Sequence, residues 1–386
     1  MGRTDGLDVA VIGAGIGGLT AAIALRQRGM DVQVYESAPA LRAAGAGVVL
    51  SPNAMHVLRR LEIAQRVIEA GVVLEYGELH DARSGLLQRI DLRAAQRRFG
   101  EPTVAIHRRR LLGILSTELP ASCVHVGAGC DAIDDRDGWP TVWLRNRQVI
   151  TPDLIIGADG LRSVVREFVA PGTALRYSGQ TSFRAVATLD LPRTFIRTSR
   201  EYWAAYCRFG YATIAPGEVY WYAALDAAPG QSWTPSETVA QLRAVLSSFP
   251  APVIHLLEAT VASEILRTDM YDLPPFDGWS RGRVVLLGDA AHATTPNLGQ
   301  GAALAIEDAL VLADRINGSA HLEDALTSYE SIRQPKTRFV VERSWRVGRF
   351  AHVANPLGRA MRNLALRFTP PSVARRQMDR IYALNF

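Results

Sequence analysis

The chain reads DVAVIGAGIGG at residues 8–18, where a short apolar run ends in the pattern G-x-G-x-x-G. The pattern consists of Gly13, Gly15 and Gly18, and the helix-like stretch LTAAIAL follows at residues 19–25. A second apolar alternation, DVQVY at residues 31–35, ends in Glu36. Strand, glycine turn, helix, strand and terminal acid predict a βαβ unit that binds a dinucleotide.

Each residue of this pattern has a physical task. Gly13 permits the turn, Gly15 lets the backbone approach a pyrophosphate, and Gly18 lets helix and strand pack closely. The helix N-terminus offers unpaired N–H groups to the phosphates. Glu36 can accept hydrogen bonds from the adenosine ribose and would repel a 2′-phosphate. The site therefore suits NAD or FAD better than NADP.

Composition limits the class of protein. With 386 residues, 48% of them hydrophobic, the chain can bury a large core and is expected to form two lobes. No apolar run is long enough to span a bilayer without including the glycine pattern, so no integral membrane segment is expected. Cys123, Cys130 and Cys207 have no metal-like spacing and form no even disulfide set. We expect no metal and a reducing, cytoplasmic setting.

Positive charge is concentrated at the C-terminal end. Residues 336–386 contain eleven Lys or Arg and two acids, Glu342 and Asp379, in a chain with a formal net charge of +5. No nucleic-acid motif accompanies this charge, so we expect no nucleic-acid partner. The segment is interpreted as a solvated basic face on C-terminal helices, and binding to a membrane surface stays open.

Apolar periodicity predicts the remaining elements. Helices are expected over residues 53–70 and 111–119 and from 302 onward, with strands over 72–92 and 122–150. A separate sheet is expected over 178–230 and 259–266, interrupted by a helix near 234–248.

The next buried parallel-type strands are at 154–156 and 284–287, far from the first βαβ unit. The fold class is therefore α/β, with a Rossmann-like domain assembled from discontinuous segments, an inserted α+β sheet domain and C-terminal helices. The expected domains are 1–72, 98–177 and 274–340 for the nucleotide; 73–97 and 178–273 for the substrate sheet; and 341–386 for the helical end.

Two further segments combine a buried strand with glycine and aspartate. They read DLIIGADGLRSVVR at residues 153–166 and RVVLLGDAAHATTPNLGQGAALAIED at residues 283–308. Asp289 can accept a hydrogen bond from a ribityl hydroxyl, and residues 299–303 can bring N–H groups to a flavin pyrimidine edge. One Gly-Asp pair alone would more simply be a turn or a helix cap. Two such segments, in this order after the first glycine pattern, favour a flavin site.

The three motifs together resemble the flavoprotein aromatic hydroxylases of the p-hydroxybenzoate hydroxylase type, the group A flavin monooxygenases. VVLSPNA at residues 48–54 resembles the family's segment along the flavin. IHRRRLL at residues 106–112 resembles its H-R-x-x-L helix start, in which the arginine matching Arg108 contacts the cofactor. Length and motifs are most similar to the branch of urate hydroxylases, zeaxanthin epoxidase-like enzymes and quinolone hydroxylases.

The resemblance implies a single-component monooxygenase with non-covalent FAD, reduced by NADH or NADPH. A flavin C4a-hydroperoxide then transfers one oxygen atom from O2 to an aromatic or heteroaromatic small molecule. Epoxidation, or modification of a polyketide or antibiotic, is the alternative, and a monomer or homodimer is expected. The predicted FAD contacts are Gly13, Gly15, Gly17, Gly18, Glu36, Ser37, Val49, Arg108, Cys130, Asp159, Gly160, Asp289, Pro296, Gly299, Gln300, Gly301, Ala302 and Ala303.

The sheet domain supplies the candidate catalytic residues. Electrophilic hydroxylation needs an electron-rich ring, and a nearby cation favours the ring anion. Arg208 and Tyr220 match an arginine and a tyrosine that face substrate and flavin in urate hydroxylase relatives, and Arg184 is a third candidate. His292 is given no catalytic role, and His107 is expected to pack or to cap a helix.

Overall fold

The computed structural model describes residues 6–41, 46–136 and 138–384. Its strands, in chain order, are β1 (Asp8–Ile12), β2 (Asp31–Glu36), β3 (Gly47–Leu50), β4 (Val72–Leu74), β5 (Tyr76–Asp81), β6 (Gly85–Asp91), β7 (Thr103–His107), β8 (Val124–Val126), β9 (Cys130–Arg136), β10 (Trp139–Leu144), β11 (Val149–Ile150), β12 (Leu154–Gly157), β13 (Arg176–Thr188), β14 (Thr198–Trp203), β15 (Cys207–Ala215), β16 (Glu218–Asp226), β17 (Leu266–Asp272), β18 (Ser280–Arg281) and β19 (Val284–Leu286).

The helices alternate with these strands and dominate the C-terminal part. They are α1 (Ile16–Arg26), α2 (Pro52–Arg60), α3 (Ala64–Ala70), α4 (Leu92–Phe99), α5 (Arg108–Thr117), α6 (Val164–Val169), α7 (Arg193–Ile196), α8 (Pro235–Leu246), α9 (Ala251–Glu258), α10 (Asp289–His292), α11 (Gly301–Gly318), α12 (Leu322–Ala351), α13 (Pro356–Arg367) and α14 (Pro371–Tyr382). None of the helices in the described ranges is long and apolar enough to cross a membrane.

A six-stranded sheet in the order β18-β19-β12-β1-β2-β8 forms the half of the molecule that contains the glycine pattern. Strand β1 pairs in parallel with β2 and β12, and β12 pairs in parallel with β19. Apart from Asp8 at the start of β1, the residues of β1, β12 and β19 are buried, as expected where helices cover both faces of a parallel sheet. Because β12 and β19 come from distant parts of the chain, the predicted assembly from discontinuous segments is confirmed.

A seven-stranded sheet in the order β17-β13-β16-β15-β14-β5-β6 forms the inserted lobe. Side chains alternate between its two faces. Phe183, Phe209 and Trp221 pack on one face in a core that includes residues of α8 and α9. By register, Arg184 lies opposite Tyr222 on the other face, which is the face that carries the candidate catalytic residues.

A small sheet, β3-β7-β4, lies between the two large ones. Gly47 in β3 lies against the Tyr220 ring: a Cβ there would be 2.4 Å from the ring's Cγ. Only glycine permits this approach, which brings the 48–54 segment against the candidate residues of the inserted lobe. Strands β9, β10 and β11 form a separate antiparallel meander.

Two local predictions were wrong. The helix expected over 53–70 is divided into α2 and α3 at Glu62, which has φ 65°. The positive φ at Glu62 changes the direction of the backbone, so that Leu61 and Ile63 are both buried in the core. The strand expected over 259–266 begins at Leu266 instead, because Thr260 closes α9 by donating its hydroxyl to Leu256 and accepting from the Trp221 indole.

Candidate active site

The three glycines of the first pattern differ in what surrounds them. Gly13 has φ 105°, and a Cβ on it would lie 2.4 Å from the carbonyl oxygen of Ala158. A Cβ on Gly18 would lie 1.9 Å from the carbonyl oxygen of Gly13, whereas one on Gly15 would meet nothing within 4 Å. Gly13 and Gly18 are therefore required by the protein's own packing. Gly15 leaves its backbone open to a ligand, as a pyrophosphate contact requires.

The Glu36 carboxylate is held at the end of β2 by three donors. Its Oε2 accepts from the Ala14 N–H at 2.8 Å, while Oε1 accepts from the Ala38 N–H at 2.8 Å and from the Ser37 hydroxyl at 3.1 Å. These bonds fix the carboxylate beside the glycine turn. A carboxylate has about four lone-pair sites, so capacity to accept from a ribose hydroxyl is left.

A cavity of about 330 Å³ joins the two halves of the molecule. Gly15 and Glu36 line it from the glycine pattern, Arg108 lines it from the start of α5, and Arg184 and Leu266 line it from the seven-stranded sheet. Predicted cofactor residues and one predicted substrate residue thus share a single space. The family resemblance requires this arrangement, because cofactor and substrate must meet.

Asp289 follows β19 and faces Arg108. Its side chain is accessible, and no residue in the described part of the chain hydrogen-bonds its carboxylate. Desolvation raises its pKa, with a further increase from the charge of Asp308, while His292 and Arg108 oppose the rise. An accessible carboxylate with free acceptor sites fits the predicted contact with a ribityl hydroxyl.

Asp159, in the second motif, is placed differently. Its carboxylate accepts from the Ser163 hydroxyl at 2.5 Å and from the N–H groups of Val164 and Val165 at 2.7 and 3.2 Å. It therefore caps the first turn of α6. Gly160 has φ 79° and makes the turn before this helix. A cofactor contact by this segment stays a prediction.

The loop before α11 presents a helix N-terminus. Gly299 has φ 63°, and α11 begins at Gly301. Gln300 occupies the N-cap without bonding the first turn, since its amide instead contacts Ser51 and Asn53 at 3.0 and 3.2 Å. The N-cap of α1, Gly15, also provides no side-chain cap. Both helix starts can therefore donate N–H groups to anionic parts of a ligand.

A buried carboxylate that the sequence interpretation missed supports this loop from behind. Glu307 accepts from Asn53 Nδ2 at 2.5 Å, from Lys336 Nζ at 2.6 Å and from Arg333. Because Asn53 also donates to Gln300, Glu307 connects α12 to the 48–54 segment and to the start of α11. Adjacent Glu307 and Asp308 on a buried, apolar helix were the only sequence signal of this connection.

The neighbouring carboxylate, Asp308, holds the third motif. It accepts from the Gly288 N–H at 3.0 Å, from His292 Nε2 at 2.6 Å and from Arg333 Nε at 2.6 Å. Burial alone would raise the pKa of Asp308, but His292 and Arg333 hold it at about 2. His292 thus makes a structural contact with Asp308, and its lack of a catalytic role stays a prediction.

Arg184 and Tyr220 lie near Arg108 on the inner face of the seven-stranded sheet. Burial raises the pKa of Tyr220, and the charges of Arg184 and Arg108 oppose the rise. Arg184 donates to the Thr268 hydroxyl at 3.0 Å and borders the cavity. Two cations and a protonated phenol therefore meet beside the residues predicted to bind the cofactor.

Arg208 has 2% of its surface exposed and is paired. It donates to Asn297 Oδ1 and lies 3.4 Å from Glu201, which also accepts from the Trp203 indole at 2.9 Å. Its guanidinium ties the sheet to the short 3-10 helix Pro296–Leu298. Glu201 and Asn297 were not anticipated. Glu201 and Trp203 are two residues apart in β14, so both lie on the same face of the sheet as Arg208, which pairs with Trp203. This spacing was the available sequence signal for Glu201.

The remaining predicted contacts line the same region or pack beneath it. A Cβ on Gly17 would lie 2.8 Å from Leu287, so Gly17 lets α1 approach the strand end before the third motif. Val49 is half-buried in β3. Burial raises the pKa of Cys130 to about 12, so its thiol stays protonated. His107 accepts from the Arg109 N–H and caps α5 as expected. Within the described residues, no cluster of His, Cys, Asp or Glu could hold a metal ion.

Comparison with known proteins identifies this arrangement. A family model described as an FAD binding domain matches residues 6–344. The chain belongs to this family of flavoprotein monooxygenases. Aurachin C monooxygenase/isomerase of Stigmatella aurantiaca is 37% identical over 350 residues, which cover 91% of each protein. The 2-heptyl-3-hydroxy-4(1H)-quinolone synthase of Pseudomonas aeruginosa is 32% identical over 381 residues, covering 97% of this chain and 98% of that protein.

Solved structures agree with the sequence relatives. The HpxO protein of Klebsiella pneumoniae, complexed with FAD and uric acid, superimposes with a TM-score of 0.90 and 26% identity over 97% of this chain and 96% of that one. The predicted fold class, the family resemblance and the assignment as a flavoprotein monooxygenase are therefore confirmed.

Proposed function

We propose that this flavoenzyme uses NADH or NADPH to reduce non-covalently bound FAD and then inserts one atom of O2 into an aromatic or heteroaromatic small molecule. The names of two compared proteins refer to a quinolone and to uric acid, and both compounds are nitrogen heterocycles. Another relative, from Streptomyces cremeus, is named for 3-amino-4-hydroxybenzoate, which is an aminophenol. The names therefore support an aromatic or heteroaromatic ring as the substrate. The choice between the two nicotinamide cofactors is left to experiment.

The observation that carries the proposal is the shared cavity, which Arg108 and Arg184 line, together with the Tyr220 phenol, which lies near both guanidinium groups. Hydroxylation by electrophilic oxygen is faster on an electron-rich ring, and an acidic heterocycle becomes electron-rich when it loses a proton. Two guanidinium groups favour that anion. The Tyr220 phenol, whose pKa is raised, stays protonated and can donate a hydrogen bond to a ring oxygen.

The residues present fit FAD. Glu36 would hold the ribose, the open backbone at Gly15 and the start of α1 would hold the pyrophosphate, and Asp289 and the uncapped start of α11 would hold the flavin end. Bound FAD supplies the oxygen-activating redox chemistry that protein side chains lack. The protein's own part is to place both molecules, exclude water and hold negative charge.

Arg208 has a positioning task in this proposal. Its contacts with Asn297 and Glu201 are internal to the protein, so its charge is already compensated. It connects the substrate sheet to the loop that starts α11, and a shift of either would change the distance between substrate and cofactor. Arg184, which borders the cavity, is the better candidate for direct contact with a substrate anion.

The proposed setting is cytoplasmic. The three cysteines are free and buried, which supports a reducing environment.

The test measures NAD(P)H oxidation by the purified yellow protein with a panel of quinolones, purines and phenols, together with hydrogen peroxide yield and 18O2 incorporation. A true substrate should stimulate oxidation, release little peroxide and gain one 18O atom on the ring. Stimulation with full peroxide release would identify an effector only. An 18O-labelled epoxide, or no response to any ring, would contradict the proposal.

Arg184→Gln sharpens the test. We expect about a 10- to 100-fold loss in kcat/KM for an acidic heterocycle, because a hydrogen bond to a charged group is removed. NAD(P)H oxidation without substrate should be unchanged. Arg197→Gln is the matched control, since Arg197 is an exposed arginine of the same lobe paired with Glu75. Equal losses in both variants would exclude Arg184 from substrate binding.

A further inference from the structure

Helix α13 has its polar side turned toward the protein. Arg362 is buried and donates to the Ala351 carbonyl at 2.6 Å and to Asp81 at 3.5 Å. Asn363 donates to the same Asp81 carboxylate at 3.0 Å. The Arg362 guanidinium also lies 5.2 Å from the centre of the Trp203 ring. The contacts that dock this helix therefore come mainly from polar side chains.

Its apolar side faces outward. Leu357, Met361, Leu364 and Phe368 are 71%, 65%, 59% and 75% exposed. Their spacing places them in one line along the helix, which we call the outer stripe. An amphipathic helix of a water-surrounded protein has the opposite orientation, with its apolar face on the core. A continuous exposed apolar patch of this kind marks a surface that binds something.

The helix is fixed in this orientation at both ends. Asn355 caps it by accepting from the N–H groups of Leu357 and Gly358 at 2.9 and 3.1 Å. At the other end Arg367 donates to the Ser84 carbonyl at 3.0 Å, in the turn between β5 and β6. The outer stripe is therefore part of the folded surface.

Positive charge accompanies the stripe. Residues 356–382, which span α13 and α14, contain six arginines and one acid, Asp379. Arg367 on α13 and Arg375 and Arg376 on α14 are exposed. These three exposed arginines lie within eight residues of Phe368, the last member of the apolar line, in the sequence. An exposed apolar line continued by exposed arginines has the chemistry of a helix lying in the interface of an anionic membrane.

We propose that the outer stripe and its arginines dock on the surface of a bilayer containing anionic phospholipid, with α13 parallel to the membrane plane. A second copy of this chain is a poorer partner, because a symmetric contact would bring like-charged arginines together. A nucleic acid would satisfy the arginines and leave the apolar line in water. An anionic bilayer satisfies both.

The experiment is co-sedimentation of the FAD-loaded protein with vesicles of phosphatidylcholine alone or with one-third phosphatidylglycerol. We expect pelleting with the anionic vesicles at about 0.1 M salt and release at high salt, where charges are screened. The variant Leu364→Gln with Phe368→Gln should bind at least about tenfold more weakly, because apolar area no longer enters the bilayer. Val261→Gln, at a valine 59% exposed elsewhere, is the control and should bind like the wild type.

Arg375→Gln with Arg376→Gln tests the charge. Each arginine should contribute about fivefold to partitioning onto the anionic vesicles. Unchanged flavin content and absorbance spectrum will establish that each variant is folded. The proposal is overturned if the wild type stays in solution with anionic vesicles at low salt. It is also overturned if Val261→Gln weakens binding as much as the stripe variant, or if the stripe only mediates self-association seen by sedimentation velocity.

Discussion

Two turns of this molecule have nearly the same sequence and opposite surroundings. In each, a buried parallel strand is followed by an aspartate, Asp159 or Asp289, and a glycine lies at or just after the strand's carboxyl end. Asp159 accepts three hydrogen bonds from its own turn and helix. Asp289 accepts none from the described residues and faces Arg108. Burial raises the pKa of both carboxyl groups, so desolvation alone does not separate them.

The difference comes from which residue stabilises the turn. At the first turn Asp159 performs this task itself, together with Ser163. At the second, Asp308 of α11 reaches across to take the Gly288 N–H and the His292 ring. Asp289 is thereby left free for a ligand. A strand-end aspartate becomes a binding residue when another group already supports its loop.

The glycines of the first pattern also divide into residues that packing requires and a residue that is open to a ligand. The largest expected effect concerns this division. Gly13→Ala should lower the free energy of unfolding by at least about 3 kcal/mol, because alanine is strained at φ 105° and its Cβ would meet the Ala158 carbonyl. Gly15→Ala should leave the free energy of unfolding nearly unchanged and weaken FAD binding. Urea unfolding and FAD titration of both variants measure this. Equal destabilisation would show that Gly15 also serves packing.

The next effect is on FAD affinity at the free carboxylate. Asp289→Asn should weaken FAD binding about 10- to 100-fold, since a hydrogen bond to a charged acceptor is replaced by a neutral one or lost. The FAD-free protein should keep nearly the wild-type free energy of unfolding, because the Asp289 side chain is accessible and accepts no hydrogen bond from the described residues. Flavin fluorescence titration gives the first quantity and urea unfolding the second. Wild-type affinity in this variant would contradict the assignment of Asp289 to the flavin.

Asp308 supports the turn that carries Asp289, and its titration should make the free energy of unfolding depend on pH. The pKa of folded Asp308, about 2, is below its usual value, so its stabilisation is complete above about pH 4 and is lost as pH falls toward 2. The loss is on the order of 2 kcal/mol. Urea unfolding of the FAD-free protein between about pH 5 and pH 3 should show about half of this loss, on the order of 1 kcal/mol.

Asp308→Asn is the control for this prediction. The variant should start from a lower free energy of unfolding, because Arg333 and His292 lose a charged partner. Its further loss on acidification should be smaller than that of the wild type. An identical pH dependence in the two proteins would mean that other carboxylates account for the acid sensitivity.

Local sequence predicted much of the fold, and three of the predicted FAD contacts, Gly15, Glu36 and Arg108, line one cavity. The glycine pattern, the two Gly-Asp segments and the period-2 alternation of 178–226 are short-range signals of backbone shape and burial. What the sequence missed depends on distant partners. Glu307 meets Lys336 and Asn53, and Arg208 meets Asn297, only after α11, α12 and the inserted sheet have packed together.

The two wrong elements have the same origin. The reversal at Glu62 is stabilised by burying Leu61 and Ile63 in the main core, and the late start of β17 follows from the bond between Trp221 and Thr260. Neither partner is close in sequence. Helix α13 is a further case. Its periodicity is visible in the sequence, but its orientation depends on Asp81, at the end of β5 in the seven-stranded sheet.

The smallest expected effect concerns Asp159, the capping aspartate of the two that are compared. Asp159→Ala should lower the free energy of unfolding by about 1 kcal/mol, because the first N–H groups of α6 lose their acceptor. Asp159→Asn keeps an acceptor oxygen and removes a charge that burial disfavours, so it should stay within a few tenths of a kcal/mol of the wild type. Urea unfolding separates the two variants. If Asp159→Ala instead weakened FAD binding as much as Asp289→Asn and left stability unchanged, the two turns would have the same task, and the distinction between a capping and a ligand-binding aspartate would fail.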